Sequence, residues 1–115
     1  MAEYKNYNDA NEFCKNKEAR LFEPRSKTMN KLIFDKSVEV FGGTKRTWLG
    51  IIDFNTPGVY VFASNGEKIS TFIWASGQPN DRSERCVVFG YRTGAQEKWY
   101  DRDCSDKNYF ICEFV

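Results

Sequence analysis

Four cysteines in a chain of 115 residues that contains no histidine set the tightest limit on what this sequence can fold into. Cys14, Cys86, Cys104 and Cys112 are an even set in a small domain, which admits two disulfides and three ways of pairing them. Zinc is the competing use of cysteine, but the chain has no Cys-x-x-Cys pair and no imidazole ligand. Disulfides are the favoured reading, and with them an oxidising, secreted or extracellular setting. Met1-Ala2-Glu3-Tyr4 leads straight into polar residues, so a secreted protein with this sequence is expected to be a trimmed form.

The length fits a single domain, 1–115, with a core of its own. A hydrophobic fraction of 41% and an aromatic fraction of 17% belong to a globular chain. The net charge is +1 with both signs interspersed, which argues against nucleic acid as a partner and against a polybasic membrane surface. No apolar run is long enough for direct membrane insertion. Without histidine or an expected free thiol, the common nucleophile–base arrangements are closed, so no enzyme is expected.

In chain order, Tyr4 to Tyr7 reads as a short lead-in strand. Asn6 is placed to cap a first helix over about Tyr7 to Lys17, with Tyr7, Ala10, Phe13 and Cys14 on its apolar face. Leu21 to Pro24 is extended. Ser26 caps a second helix whose buried stripe is expected to be Met29, Leu32 and Ile33, with Lys27, Lys31 and Lys36 in water, and Gly42-Gly43 ends it. Strands follow at Thr47–Ile52, Val59–Phe62, Ile69–Trp74, Cys86–Phe89, Lys98–Asp101 and Tyr109–Phe114, with a hairpin turn at Ser64-Asn65-Gly66. Helices first and strands afterwards make an α+β domain, two helices flanking antiparallel sheets.

The longest irregular stretch runs from Trp74 to Cys86. Within it Gln78, Asn80, Asp81 and Glu84 are short oxygen donors of the kind a hard cation takes, beside Pro79. Solvated loop residues are the plainer reading of the same composition.

Four stretches together resemble the C-type lectin-like domain in its short form. They are Trp48-Leu49-Gly50-Ile51, Trp74 ahead of Gln78-Pro79-Asn80, Trp99-Tyr100-Asp101 ahead of Cys104, and Phe110-Ile111-Cys112-Glu113-Phe114. All four cysteines match in order, and the likeness covers about Tyr4 to Phe114. The resemblance implies the pairs Cys14–Cys112 and Cys86–Cys104 and a long polar ligand-binding loop. It also implies one calcium ion coordinated by Gln78, Asn80, Glu84 and Asp101, with a cis bond before Pro79. In related lectins the same ion coordinates two sugar hydroxyls. The sugar contacts implied here are Gln78, Asn80, Glu84, Asp101, Tyr91 and Tyr100.

The sequence departs from that pattern at three places. Members that resemble mannose binders have Glu-Pro-Asn at the tripeptide and galactose binders have Gln-Pro-Asp; this chain has Gln78-Pro79-Asn80. Tyr100 stands where Asn is usual before the final Asp. At the auxiliary calcium site Asp53 and Asp81 match, but Pro57 and Arg85 stand where acids are usual, so one weakly bound ion is expected. Trp48, Trp74 and Trp99 are expected in the core, and Glu113 in a local structural contact. The resulting expectation is a calcium-dependent carbohydrate-binding domain for terminal monosaccharides of glycans, made useful by multivalency or a homo-oligomer. The alternative is a lectin-like domain that has lost calcium and sugar binding and recognises a protein or surface.

Overall fold

A computed structural model describes residues 4–80, 85–91 and 96–114. Helix α1 spans Tyr7–Asn16. The Asn6 side-chain oxygen accepts from the Asp9 N–H at 2.8 Å, satisfying a first-turn donor that the helix itself cannot. Tyr7, Ala10 and Cys14 are buried, so the expected apolar face is the one that packs. Strand β1 is Ala19–Leu21. Helix α2 spans Lys27–Phe41, opened by Ser26 Oγ accepting from Met29 N–H at 3.1 Å and closed at Gly42, whose φ of 74° is left-handed.

The stripe expected on α2 is corrected by the structure. Met29 and Leu32 are 44% and 60% exposed, and Ile33 is only partly buried. The buried residues are Asn30, Phe34 and Ser37. Asn30 Oδ1 accepts from the Trp99 indole N–H at 2.9 Å, and its Nδ2 donates to the Glu97 carbonyl at 2.9 Å. Ser37 Oγ donates to the Phe34 carbonyl at 2.6 Å. Polar side chains with partners are stable inside, and a hydropathy pattern cannot register them.

Strand β2, Thr47–Ile52, is the centre of the larger sheet. Antiparallel to it lie β3, Val61–Phe62, and β4, Cys86–Phe89; β5, Tyr100–Arg102, pairs antiparallel with β4. Strand β6, Tyr109–Phe110, joins β2 in parallel through Thr47 and Trp48. Strand β7, Cys112–Phe114, pairs with β1 in a separate two-stranded sheet. The lead-in segment makes a single bridge, Lys5 with Asn108. Ile69 to Trp74 forms no ladder: Ile69 and Ile73 go into the core, and Trp74 bridges Trp99 alone.

Because side chains alternate across β2 and β4, each sheet face supplies its own core. Leu49, Ile51, Val87 and Phe89 join Phe34, Ile73 and Trp99 on one face. Trp48, Cys86 and Val88 join Tyr7, Ala10 and Cys14 on the other. Both disulfides implied by the resemblance form, Cys14–Cys112 and Cys86–Cys104. Gly50 has a local reason to be glycine: a Cβ there would sit 2.8 Å from Glu23 Cγ and 2.9 Å from the Leu21 carbonyl oxygen.

Candidate functional site

The polar loop is tied to β5 before it reaches its candidate ligands. Trp99 N–H donates to the Ile73 carbonyl at 2.8 Å, and Ala75 N–H to the Trp99 carbonyl at 3.0 Å. Asn30 on α2 fixes the Trp99 indole from behind. The chain then turns, with Gln78 N–H donating to the Ala75 carbonyl at 3.0 Å, and the Gln78–Pro79 peptide is cis.

This turn brings three of the candidate ligands together. Asp101 is 2% exposed, and its Oδ2 accepts from Asn80 N–H at 3.1 Å. Gln78 Oε1 accepts from Asp101 N–H at 3.2 Å. The loop and β5 therefore hold each other in both directions, each supplying a donor and an acceptor. Gln78 is partly buried and Asn80 exposed. Glu84 and Asp81 lie outside the described residues, so the cluster as described has one carboxylate and two amides.

Alternation along β5 puts Tyr100 and Arg102 on the face opposite Asp101. The Tyr100 ring stacks on Tyr91 with centroids 3.7 Å apart and planes 15° apart. Tyr91 Oη accepts from Arg102 Nη1 at 3.2 Å, and Arg102 Nη2 donates to Asp106 Oδ2 at 2.8 Å. Tyr91 and Tyr100 thus form a packed pair and belong with the second core rather than with the carboxylate.

Asp103, close in sequence, has its own partners. Its Oδ1 accepts from the Ser105 N–H and hydroxyl, bonds that hold its carboxyl below the usual range, as expected of a turn residue. Asp53 is buried, and its Oδ2 accepts from Gly58 N–H at 2.9 Å, closing the turn that contains Pro57. Glu113 Oε2 accepts from Arg20 Nε and Glu23 N–H, both at 3.0 Å, a structural contact between β7 and the β1 segment. Trp48 and Trp99 are fully buried, whereas Trp74 is partly buried, edge-on to Trp99 at 5.6 Å.

As a test for a metal, the donor chemistry is of the right kind: amide and carboxylate oxygens suit a hard cation. Among the described residues, no group of three or more His, Cys, Asp or Glu stands together. Among the described candidate ligands, Gln78 and Asn80 are neutral amides and Asp101 is a carboxylate.

The family model for the lectin C-type domain matches residues 3–114. The chain belongs to the C-type lectin domain family. It is 37% identical over 112 residues to human C-type lectin domain family 3 member A, covering 96% of this chain and 55% of that protein. It is 36% identical over 117 residues to Collectin-10 of Xenopus tropicalis, covering 100% of this chain and 40% of that protein. The chain therefore spans about half, or less, of the curated relatives it matches. Among solved structures it is similar to the mouse scavenger receptor C-type lectin carbohydrate-recognition domain, with a TM-score of 0.83 at 25% identity, covering 96% of this chain and 82% of the other. Human lithostathine gives a TM-score of 0.85 at 25% identity, covering 98% and 78%. Family and fold are of a non-enzymatic, carbohydrate-binding class. Among the described residues, no helix is long and apolar enough to cross a membrane.

Proposed function

We propose that this C-type lectin domain binds terminal monosaccharides of glycans through a calcium ion held by Gln78, Asn80, Glu84 and Asp101. The observation that carries the reading is the reciprocal closure of the loop on β5, Asn80 N–H to Asp101 Oδ2 and Asp101 N–H to Gln78 Oε1. It holds oxygen donors more than twenty residues apart in sequence in one place. When bound, the ion supplies positive charge to the lone pairs of sugar hydroxyls. The chain's own residues do the rest. Asn80, exposed, offers an amide donor to a hydroxyl oxygen, and Asp101 supplies the fixed negative charge. Two disulfides and the lectin relatives support an extracellular setting.

Few carboxylates make the ion weakly held, in the roughly 10⁻⁴–10⁻³ M class of extracellular modules. Trp74, edge-on to Trp99 beside the loop, is the natural reporter. A calcium titration followed by tryptophan fluorescence is expected to saturate below ~10 mM, and Asp101→Asn is expected to abolish the response. A flat wild-type titration over that range would sink the proposal. One observation favours a second reading, recognition of a protein or surface without calcium: Gln78 Oε1 and Asp101 Oδ2 already accept backbone N–H bonds.

A further inference from the structure

At the other end of β2 and β4 from the point where the polar loop rejoins the sheet at Cys86, a cleft of about 480 Å³ opens beside Thr47 and Phe89. Lys45, Arg46 and Lys107 line it, and among the described residues none of the three has an ion-pair partner. Tyr4 and Tyr109, edge-on at 4.6 Å, form an aromatic wall. Asn108 also lines it; this residue is 2% exposed, and among the described residues its buried Nδ2 has no hydrogen-bond partner. An amide donor left in that state costs about 1–3 kcal/mol, which an acceptor entering the cleft would relieve.

The frame of the cleft is rigid backbone. Asn108 exchanges both main-chain bonds with Lys5 at 3.0 and 3.1 Å, and Tyr109 N–H donates to the Arg46 carbonyl at 3.0 Å. Gly90, with φ 99°, lets the Lys45–Arg46 segment close against it; a Cβ there would meet the Lys45 carbonyl oxygen at 1.9 Å. Three cations, a buried unpaired amide donor and an aromatic wall on such a frame match one ligand chemistry: an oxyanion carried on a ring with an apolar face.

We propose that this cleft is a second, calcium-independent binding site for the sulfate group of an acidic saccharide. Lys45, Arg46 and Lys107 neutralise the oxyanion, Asn108 Nδ2 donates to one of its oxygens, and Tyr4 and Tyr109 pack against the sugar ring. The site shares no residue with the Gln78–Asp101 cluster, so either can fail without the other.

The test uses the whole chain, in chelator, titrated calorimetrically with a sulfated heparin-type hexasaccharide and with the same hexasaccharide after desulfation. Arg46 and Lys107 are exposed, so the double variant Arg46→Ala/Lys107→Ala is expected to melt with the wild type. Its affinity for the sulfated probe should fall about tenfold or more, because two charge-assisted contacts are lost. Wild-type binding should weaken as salt rises, and the desulfated probe should not bind. Asn108→Leu, which removes the donor, should also weaken binding; it is read only if its far-ultraviolet spectrum matches the wild type, and the double variant decides otherwise. Equal binding by the double variant, equal binding of the desulfated probe, or loss of binding in chelator would each overturn the proposal. Equal competition by a single-stranded oligonucleotide of the same charge would overturn the saccharide assignment.

Discussion

Asp101 joins the loop to the sheet at a single side chain, and its two roles separate by substitution. Asp101→Asn keeps an oxygen to accept from Asn80 N–H, so we expect a stability change of about 1 kcal/mol or less in urea denaturation. The fixed charge is lost, and with it the calcium response in fluorescence. At Tyr100 the expected result has two parts. Tyr100→Asn should lose the stack on Tyr91, and because the side chain at this position lies on the face opposite Asp101, calcium affinity in calorimetry should stay unchanged. A double-mutant cycle on Tyr91 and Tyr100 should give a coupling of about 0.5–1.5 kcal/mol. Gln78 and Asn80 are legible as candidate ligands because oxygen donors beside a proline are visible in the letters, whereas Asp101 enters only through the family resemblance of Trp99-Tyr100-Asp101. The direction of Tyr100 is not legible: whether it faces the carboxylate or the opposite side depends on the register of β5 against β4, which no local pattern states.

Between elements, the site depends on how α2 grips the strand that carries Asp101. Asn30 bonds both the Trp99 indole and the Glu97 carbonyl, so Asn30→Leu leaves a buried donor and acceptor unpaired. The expected cost is about 2–4 kcal/mol, read as a shifted urea midpoint. This helix is also where sequence reading failed, since Met29 and Leu32 outweigh Asn30 on any hydropathy scale although Asn30 is the residue inside. Caps and strands fared better: Asn6, Ser26 and Thr47–Ile52 act through local bonding and alternation, which sequence encodes directly. The cleft at Lys45, Arg46 and Lys107 left no signal, because its residues come from distant segments brought together by β4 and β6 pairing with β2 and by the Lys5–Asn108 bridge. The Cys86–Cys104 bridge, 18 residues apart, should contribute about 3 kcal/mol by chain entropy. Replacing both cysteines by alanine should therefore lower stability and weaken calcium binding together, since the bridge joins the end of the loop to the segment after β5.

For the molecule as a whole, the proposed calcium site would link ion binding to folding. An ion bound only by the native state, at ten to a hundred times its dissociation constant, adds roughly 1.4–2.7 kcal/mol, so melting should move upward with calcium. Weak single-site binding of the proposed kind gains most in avidity when several sites engage one glycan surface. The two proposed sites share no ligand residue: the loop site is carried by Asp101, which pairs with Val87 of β4, and the cleft lies beyond Phe89. The measurement that bears most directly on the central claim is binding of the domain to an array of neutral glycans, with calcium and with chelator, beside Asp101→Asn. The account predicts binding that chelator reverses and the variant lacks. Neutral-glycan binding that survives both chelator and Asp101→Asn would contradict it.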